Sequence, residues 1–111
     1  MNIESIYRTA NPKSLAEFER TRKSMPGVAK GAYYVKPFPL TMARGDGCFL
    51  EDIDGHRYVD FAGHHTAQIL GHGHPMIVEA VQKQLAAGIA TAAPMGVEAD
   101  LAEEICRRVD S

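Results

Sequence analysis

The chain has 111 residues, 45% of them hydrophobic and 23% charged, with 12 Lys+Arg against 14 Asp+Glu; this is the balance of ordinary globular proteins, it argues against disordered, fibrous and polyanion-binding classes, and it allows one small domain at most. The charge is uneven, because residues 1–44 carry eight Lys/Arg and three Asp/Glu (+5) and residues 45–111 carry four and eleven (−7); without an aromatic-interleaved basic run, this reads as a basic segment lying across an acidic body and not as a nucleic-acid arm. Cys48 and Cys106 have no C-x-x-C spacing, no secretory pattern opens the chain, and the most apolar stretch, Leu85 to Val97, is too short and too interrupted to span a membrane. A reducing cytoplasm is therefore expected, with neither nucleic acid nor membrane as partner.

Residues 1–13 are polar and read as irregular. Ser14-Leu15-Ala16-Glu17 fits a capping box, so a helix is predicted from Ser14 for about three turns. Leu15, Phe18, Arg22 and Met25 share its inner face, and Pro26-Gly27 stops it. Val28 to Pro39 shows no stable period and reads as a structured loop. Three β-prone runs then follow, Leu40–Arg44, Cys48–Ile53 and His56–Phe61, separated by Gly45-Asp46-Gly47 and Asp54-Gly55. Asp-Gly turns tolerate positive φ, so an antiparallel meander is predicted. After a histidine-rich loop, Pro75 suits a first helical turn. Ile77, Val78, Val81 and Leu85 give that helix an apolar face, and Gly88 ends it. A last helix carries the stripe Val97, Leu101, Ile105 and Val109, with Glu103–Arg107 and Glu104–Arg108 as i,i+4 pairs. Neither stripe has a large partner surface in so short a chain, and the expected architecture is an α+β fragment: a helix, a small meander and two helices.

Four histidines fall within eleven residues, His64, His65, His72 and His74. Neutral imidazoles could ligate zinc, yet the spacing matches no structural-zinc pattern, and His72 and His74 sit in a glycine-spaced turn suited to capping the next helix. The glycines of Gly45-Asp46-Gly47 and Gly71-His72-Gly73 read as turns more readily than as phosphate cradles. Asp52, Asp54 and Asp60 read first as solvated hairpin residues, and no nucleophile elbow is present. A metal-binding or non-catalytic interaction module is the alternative from another class.

One composite stretch is more specific: Asp52-Ile53-Asp54-Gly55-His56-Arg57-Tyr58-Val59-Asp60-Phe61, eight residues, then Leu70-Gly71-His72-Gly73-His74-Pro75 and an amphipathic helix. It closely resembles the amino-terminal region of class III aminotransferases, the fold-type-I pyridoxal-phosphate enzymes that include glutamate-1-semialdehyde aminomutase. The flanks agree over residues 14–110: Pro26-Gly27-Val28, Arg44-Gly45-x-Gly47 and Ala92-Ala93-Pro94. The resemblance implies the amino-terminal portion of an enzyme that moves an amino group between an amino donor and a carbonyl acceptor, with pyridoxal 5'-phosphate as cofactor and a homodimer when complete. It also implies that the Schiff-base lysine, the aspartate at the pyridine nitrogen and the phosphate loop lie beyond this segment. None of Lys13, Lys23, Lys30, Lys36 or Lys83 stands in a matching lysine motif, so the chain is expected to be inactive alone. Catalytic and metal-binding residues are expected to be absent. On the substrate side the resemblance implies Tyr33, His64 and His65. Tyr33 stands where the aminomutase pattern has a carboxylate-binding arginine, a departure that weighs against the aminomutase alternative. His65 stands at an aromatic, pocket-lining position. Thr91–Met95 resembles a segment near the active site at the dimer interface.

Overall fold

A computed structural model describes residues 2–25 and 36–109, which form four helices and one three-stranded sheet and fall into two compact units, residues 1–74 and 75–111.

The first unit opens on helix α1 (Ile3–Ala10), where an irregular stretch was expected. Asn2 caps it by accepting the Glu4 N–H at 3.1 Å, and Glu4 pairs with Arg8 one turn on at 2.8 Å. Eight residues are too few for an independent helix. Tertiary contact supplies the rest: the Tyr7 hydroxyl donates to the Phe38 carbonyl at 2.8 Å and its ring lies 4.9 Å from that of Phe38. Phe18 approaches the same ring at 6.2 Å. Phe38, 1% exposed, is the one fully buried hydrophobic side chain among the described residues.

Helix α2 (Pro12–Thr21) starts two residues before the expected cap, with Pro12 in its first turn. Ser14 lies inside the helix, fully buried, and the capping box does not form. A carboxylate from a distant turn takes over: Asp54 accepts from Lys13 N at 2.8 Å, Ser14 N at 2.9 Å and Ser14 Oγ at 2.7 Å. Glu17, freed from reciprocal capping, pairs with Arg20. The helix ends at Thr21, a turn earlier than the Pro26-Gly27 stop, which lies outside the described residues together with most of the loop predicted after it.

The meander is as expected: β1 (Met42–Asp46), β2 (Phe49–Asp52) and β3 (Arg57–Val59) pair antiparallel in that order. Gly47, at φ 54°, opens the two-residue turn between Asp46 and Phe49, the position that type II′ hairpins give to glycine. Arg44 reaches Glu51 across the strands at 2.6 Å, and the Arg57 guanidinium stacks 3.8 Å over the Phe49 ring. The reading of Asp52 as solvated is corrected, since it is 2% exposed. It accepts from His56 N at 2.8 Å and from the Tyr58 hydroxyl at 2.8 Å, and it meets His56 Nδ1 at 3.0 Å.

The second unit holds α3 (Pro75–Ala87) and α4 (Gly96–Arg108). Gly88, at φ 103°, ends α3 as predicted. On α4, Glu104 pairs with both Arg107, at 2.8 Å, and Arg108; the expected Glu103–Arg107 pair gives way to the i,i+3 alternative. Neither helix has a buried residue, and their apolar stripes face outward, with Val81 51% and Leu101 61% exposed. Among the described residues no helix is long and apolar enough to cross a membrane.

Candidate functional site

Two glycine-rich segments that are far apart in the sequence pack onto each other. Gly47 and His72 exchange backbone hydrogen bonds, Gly47 N to His72 O at 2.9 Å and His72 N to Gly47 O at 2.8 Å. This approach requires glycine on both sides. A Cβ on Gly71, whose φ is 80°, would stand 2.8 Å from the Gly47 carbonyl oxygen, and a Cβ on Gly45 would stand 2.5 Å from the His72 ring. The glycines read separately as two turns therefore share one role, seating His72 against the hairpin.

Between these segments lies a cavity of about 300 Å³, lined by Gly47, Cys48, Asp60, Gln68, Leu70 and His72 among others. At one side Asp60 Oδ2 accepts from His72 Nε2 at 2.7 Å, while Asp60 Oδ1 accepts from Ala62 N and Gly63 N, both at 3.0 Å. Asp60 is thus no solvated hairpin residue. The hydrogen bond from His72, reinforced by those from Gly63 and Ala62, holds its carboxyl below the usual carboxylate range. The His72 ring is engaged by Asp60 through Nε2.

The chain leaving Asp60 takes an unusual path. Gly63, His64, His65 and Thr66 have φ values of 46°, 50°, 56° and 72°, four left-handed residues in succession, closed by Thr66 N to Ala62 O at 3.2 Å and Gln68 N to Gly63 O at 3.0 Å. Left-handed backbone costs about 1–2 kcal/mol per non-glycine residue, so the three non-glycine residues together cost about 3–6 kcal/mol. Thr66, being β-branched, is the least suited of them. Strain of this kind persists only where the surroundings impose it, and it clusters at functional sites.

His64 and His65 ride on this turn, exposed, their ring centroids 6.2 Å apart. The two are chain neighbours on the loop whose Gly63 and Gln68 line the cavity, and neither histidine is itself in that lining. Tyr33 lies outside the described residues. Thr91 and Met95 belong to the second unit, where the Thr91 hydroxyl donates to Ala93 O at 2.6 Å. Among the described residues no three His, Cys, Asp or Glu side chains gather as a metal would require, so the metal-binding alternative has no support. Sequence reasoning missed the Asp60–His72 pair; its one signal was an aspartate and a histidine at the two ends of a glycine-punctuated loop.

Comparison with known proteins gives this geometry a context. Residues 31–109 match the family model for aminotransferase class-III. The chain is 42% identical over 103 residues to the β-phenylalanine transaminase of Variovorax paradoxus, covering 92% of this chain and 24% of that protein. A crystal structure of a β-phenylalanine aminotransferase from the same organism superposes with a TM-score of 0.86 at 40% identity, covering 95% of this chain and 25% of that one. Identity is 41% over 114 aligned positions to the glutamate-1-semialdehyde 2,1-aminomutase of Rhodopirellula baltica, covering 99% of this chain and 26% of the relative. A solved transaminase with pyridoxal phosphate bound superposes with a TM-score of 0.85 at 33% identity, covering 91% of this chain and 24% of that one. The chain spans about a quarter of the length of these curated relatives. It belongs to the class III aminotransferases.

Proposed function

We propose that the chain serves as the amino-terminal part of a pyridoxal-phosphate-dependent aminotransferase that transfers an amino group from a small-molecule donor to a carbonyl acceptor, and that His64 and His65 face the substrate. The observation that carries the site assignment is the run of left-handed residues from Gly63 to Thr66. A costly backbone in a loop that walls a cavity, carrying two exposed imidazoles, is a structure expected where a ligand is met.

Pyridoxal phosphate, when bound in such an enzyme, supplies the electron sink for breaking a bond at the amine carbon. The described residues do not fit that group by themselves. Among the described residues no lysine lines the cavity beside Asp60, and the Asp60 carboxylate is already committed to His72 and two backbone amides. No chemical step through the cofactor is therefore derived from this chain. What its own residues offer is two imidazoles, His64 and His65, whose ring nitrogens can accept or donate hydrogen bonds, and Tyr33 as a proposed aromatic wall or single hydrogen-bond partner.

The aminomutase reading stands second. The similarity to the R. baltica enzyme favours it, while Tyr33 in place of an arginine removes the bidentate carboxylate clamp that such a substrate would use. Assembly as a homodimer and a cytoplasmic location belong to the same proposal.

A hybrid tests the reading: this chain replaces the matching quarter of the V. paradoxus transaminase, and pyridoxal phosphate content and transamination of a panel of amines are measured. Cofactor binding with turnover of at least one amine is expected. His65→Ala in that hybrid should change the ratio of kcat/KM between amines by about tenfold while leaving cofactor content unchanged. A folded, cofactor-loaded hybrid that transaminates none of the panel would overturn the proposal.

A further inference from the structure

Both ends of the loop from Phe61 to Gly71 are pinned to one hairpin turn. At its start, Asp60 N donates to Cys48 O at 2.8 Å; at its end, His72 exchanges two backbone bonds with Gly47. These ties set where the loop begins and ends but not its interior path. The interior is left-handed through Gly63–Thr66, and the side chain placed to dictate it is Asp60. One oxygen gathers the Ala62 and Gly63 amides, which turns the chain just before the left-handed run, and the other is held by His72 Nε2. The His72 ring is fixed in its turn: it fills the space over Gly45 that any Cβ would occupy, and its side chain is only 20% exposed. Asp60 is comparably sheltered, 9% exposed.

We infer that Asp60 and His72 form a latch, a pair of positioning residues that closes the Phe61–Gly71 loop across its base and thereby sets the left-handed turn on which His64 and His65 are presented. The role is to act through the loop and not to touch substrate. Asp60 fixes the direction of chain entry by its two amide contacts, His72 fixes the carboxylate, and Gly45 keeps the ring's seat open. The Nε2 nitrogen is the donor in this pair, because the carboxylate can only accept. The inference deepens the substrate-facing reading of His64 and His65 and rests on it for its functional meaning.

The test uses the full 111-residue chain, isotopically labelled, with three-bond amide couplings and backbone shifts read by NMR at His64, His65 and Thr66, and ring nitrogen shifts read at His72. Positive φ at all three positions is expected, with a proton on His72 Nε2. Asp60→Ala should abolish the positive-φ signature and speed exchange of the Ala62 and Gly63 amides by about tenfold, while the Arg57–Val59 strand signals persist. Asp60→Asn keeps an oxygen for the amides and should restore the signature. Positive φ that survives in both Asp60→Ala and His72→Gln would overturn the latch, as would a wild-type chain without the left-handed turn. The two readings fail separately: if the latch holds but His65→Ala leaves the amine profile of the hybrid unchanged, the substrate-facing assignment falls and the latch stands.

Discussion

At the residue scale, the aspartates of the composite motif divide the structural work. Asp52 is buried, and burial alone would raise its pKa. Hydrogen bonds from His56 N, the Tyr58 hydroxyl and the His56 ring outweigh that effect and hold it at about 2, against 3.8 unperturbed. The Tyr58 hydroxyl is correspondingly pushed up to about 12, by burial first and by its bond to Asp52 second. Because the folded pKa of Asp52 lies below its unfolded value, its contribution is fully present above pH 4 or so and is lost as the pH falls toward 2. It amounts to about 2 kcal/mol. Chemical denaturation of the chain and of Asp52→Asn should therefore show a stability gap near pH 7 that narrows below pH 4; a gap independent of pH would count against the carboxylate's role. Asp54 behaves differently, as a helix cap delivered from another element. Burial raises its pKa and the bonds from Lys13 and Ser14 lower it, with a net fall. Asp54→Ala should cost about 1–2 kcal/mol, seen as lost protection of the Lys13 and Ser14 amides in hydrogen exchange while the β2–β3 pairing remains.

Elements in this chain are built from weak local signals completed by distant partners. Helix α1 is hard to read from sequence because its eight residues, with Ile3, Ile6 and Tyr7 as their large apolar side chains, are too few to show a period, and what stabilises it, Tyr7 against Phe38, lies 31 positions away. Helix α2 was placed two residues late because Ser14 and Glu17 imitate a capping box, whereas the cap actually used comes from Asp54. The meander, by contrast, was legible, since Asp-Gly and Gly-Asp-Gly turns set the hairpins by local backbone preference alone. The glycines at the hairpin contact carry a sharper expectation. Gly71→Ala combines a positive φ with a Cβ 2.8 Å from a carbonyl oxygen and should destabilise by about 2–4 kcal/mol. Gly88→Ala meets open space and should cost only the left-handed strain, about 1–2 kcal/mol. Thermal unfolding of the two variants, compared side by side, checks the order; equal losses would mean that the contact of Gly71 with Gly47 is unimportant.

For the whole molecule, the deciding fact is how little apolar surface is covered. Phe38 is the one fully buried hydrophobic side chain among the described residues, while Ile77, Val81, Leu85, Val97, Leu101 and Ile105 stand about half exposed or more. Exposed apolar stripes of this extent mark surfaces that associate. The chain on its own should bind a hydrophobic dye and sediment as a concentration-dependent assembly. Leu101→Glu with Ile105→Glu should reduce both effects by severalfold at unchanged helicity. A monomer indifferent to concentration, with no dye binding, would contradict this account.

What the sequence by itself determined is what local chemistry decides: the three short strands and their turns, the proline start and glycine end of α3, the amphipathic period of α4, and the composite motif by which the family is recognised. The tertiary structure alone decided which polar side chains meet. Asp60 finds His72 twelve residues on, Asp54 finds the start of α2 forty residues back, and Gly45 and Gly71 make room for contacts that neither could reveal alone. The physical reason is that turn preference and hydrophobic period act over a few residues, whereas a carboxylate's partner is chosen by whichever donor the fold carries within hydrogen-bond reach.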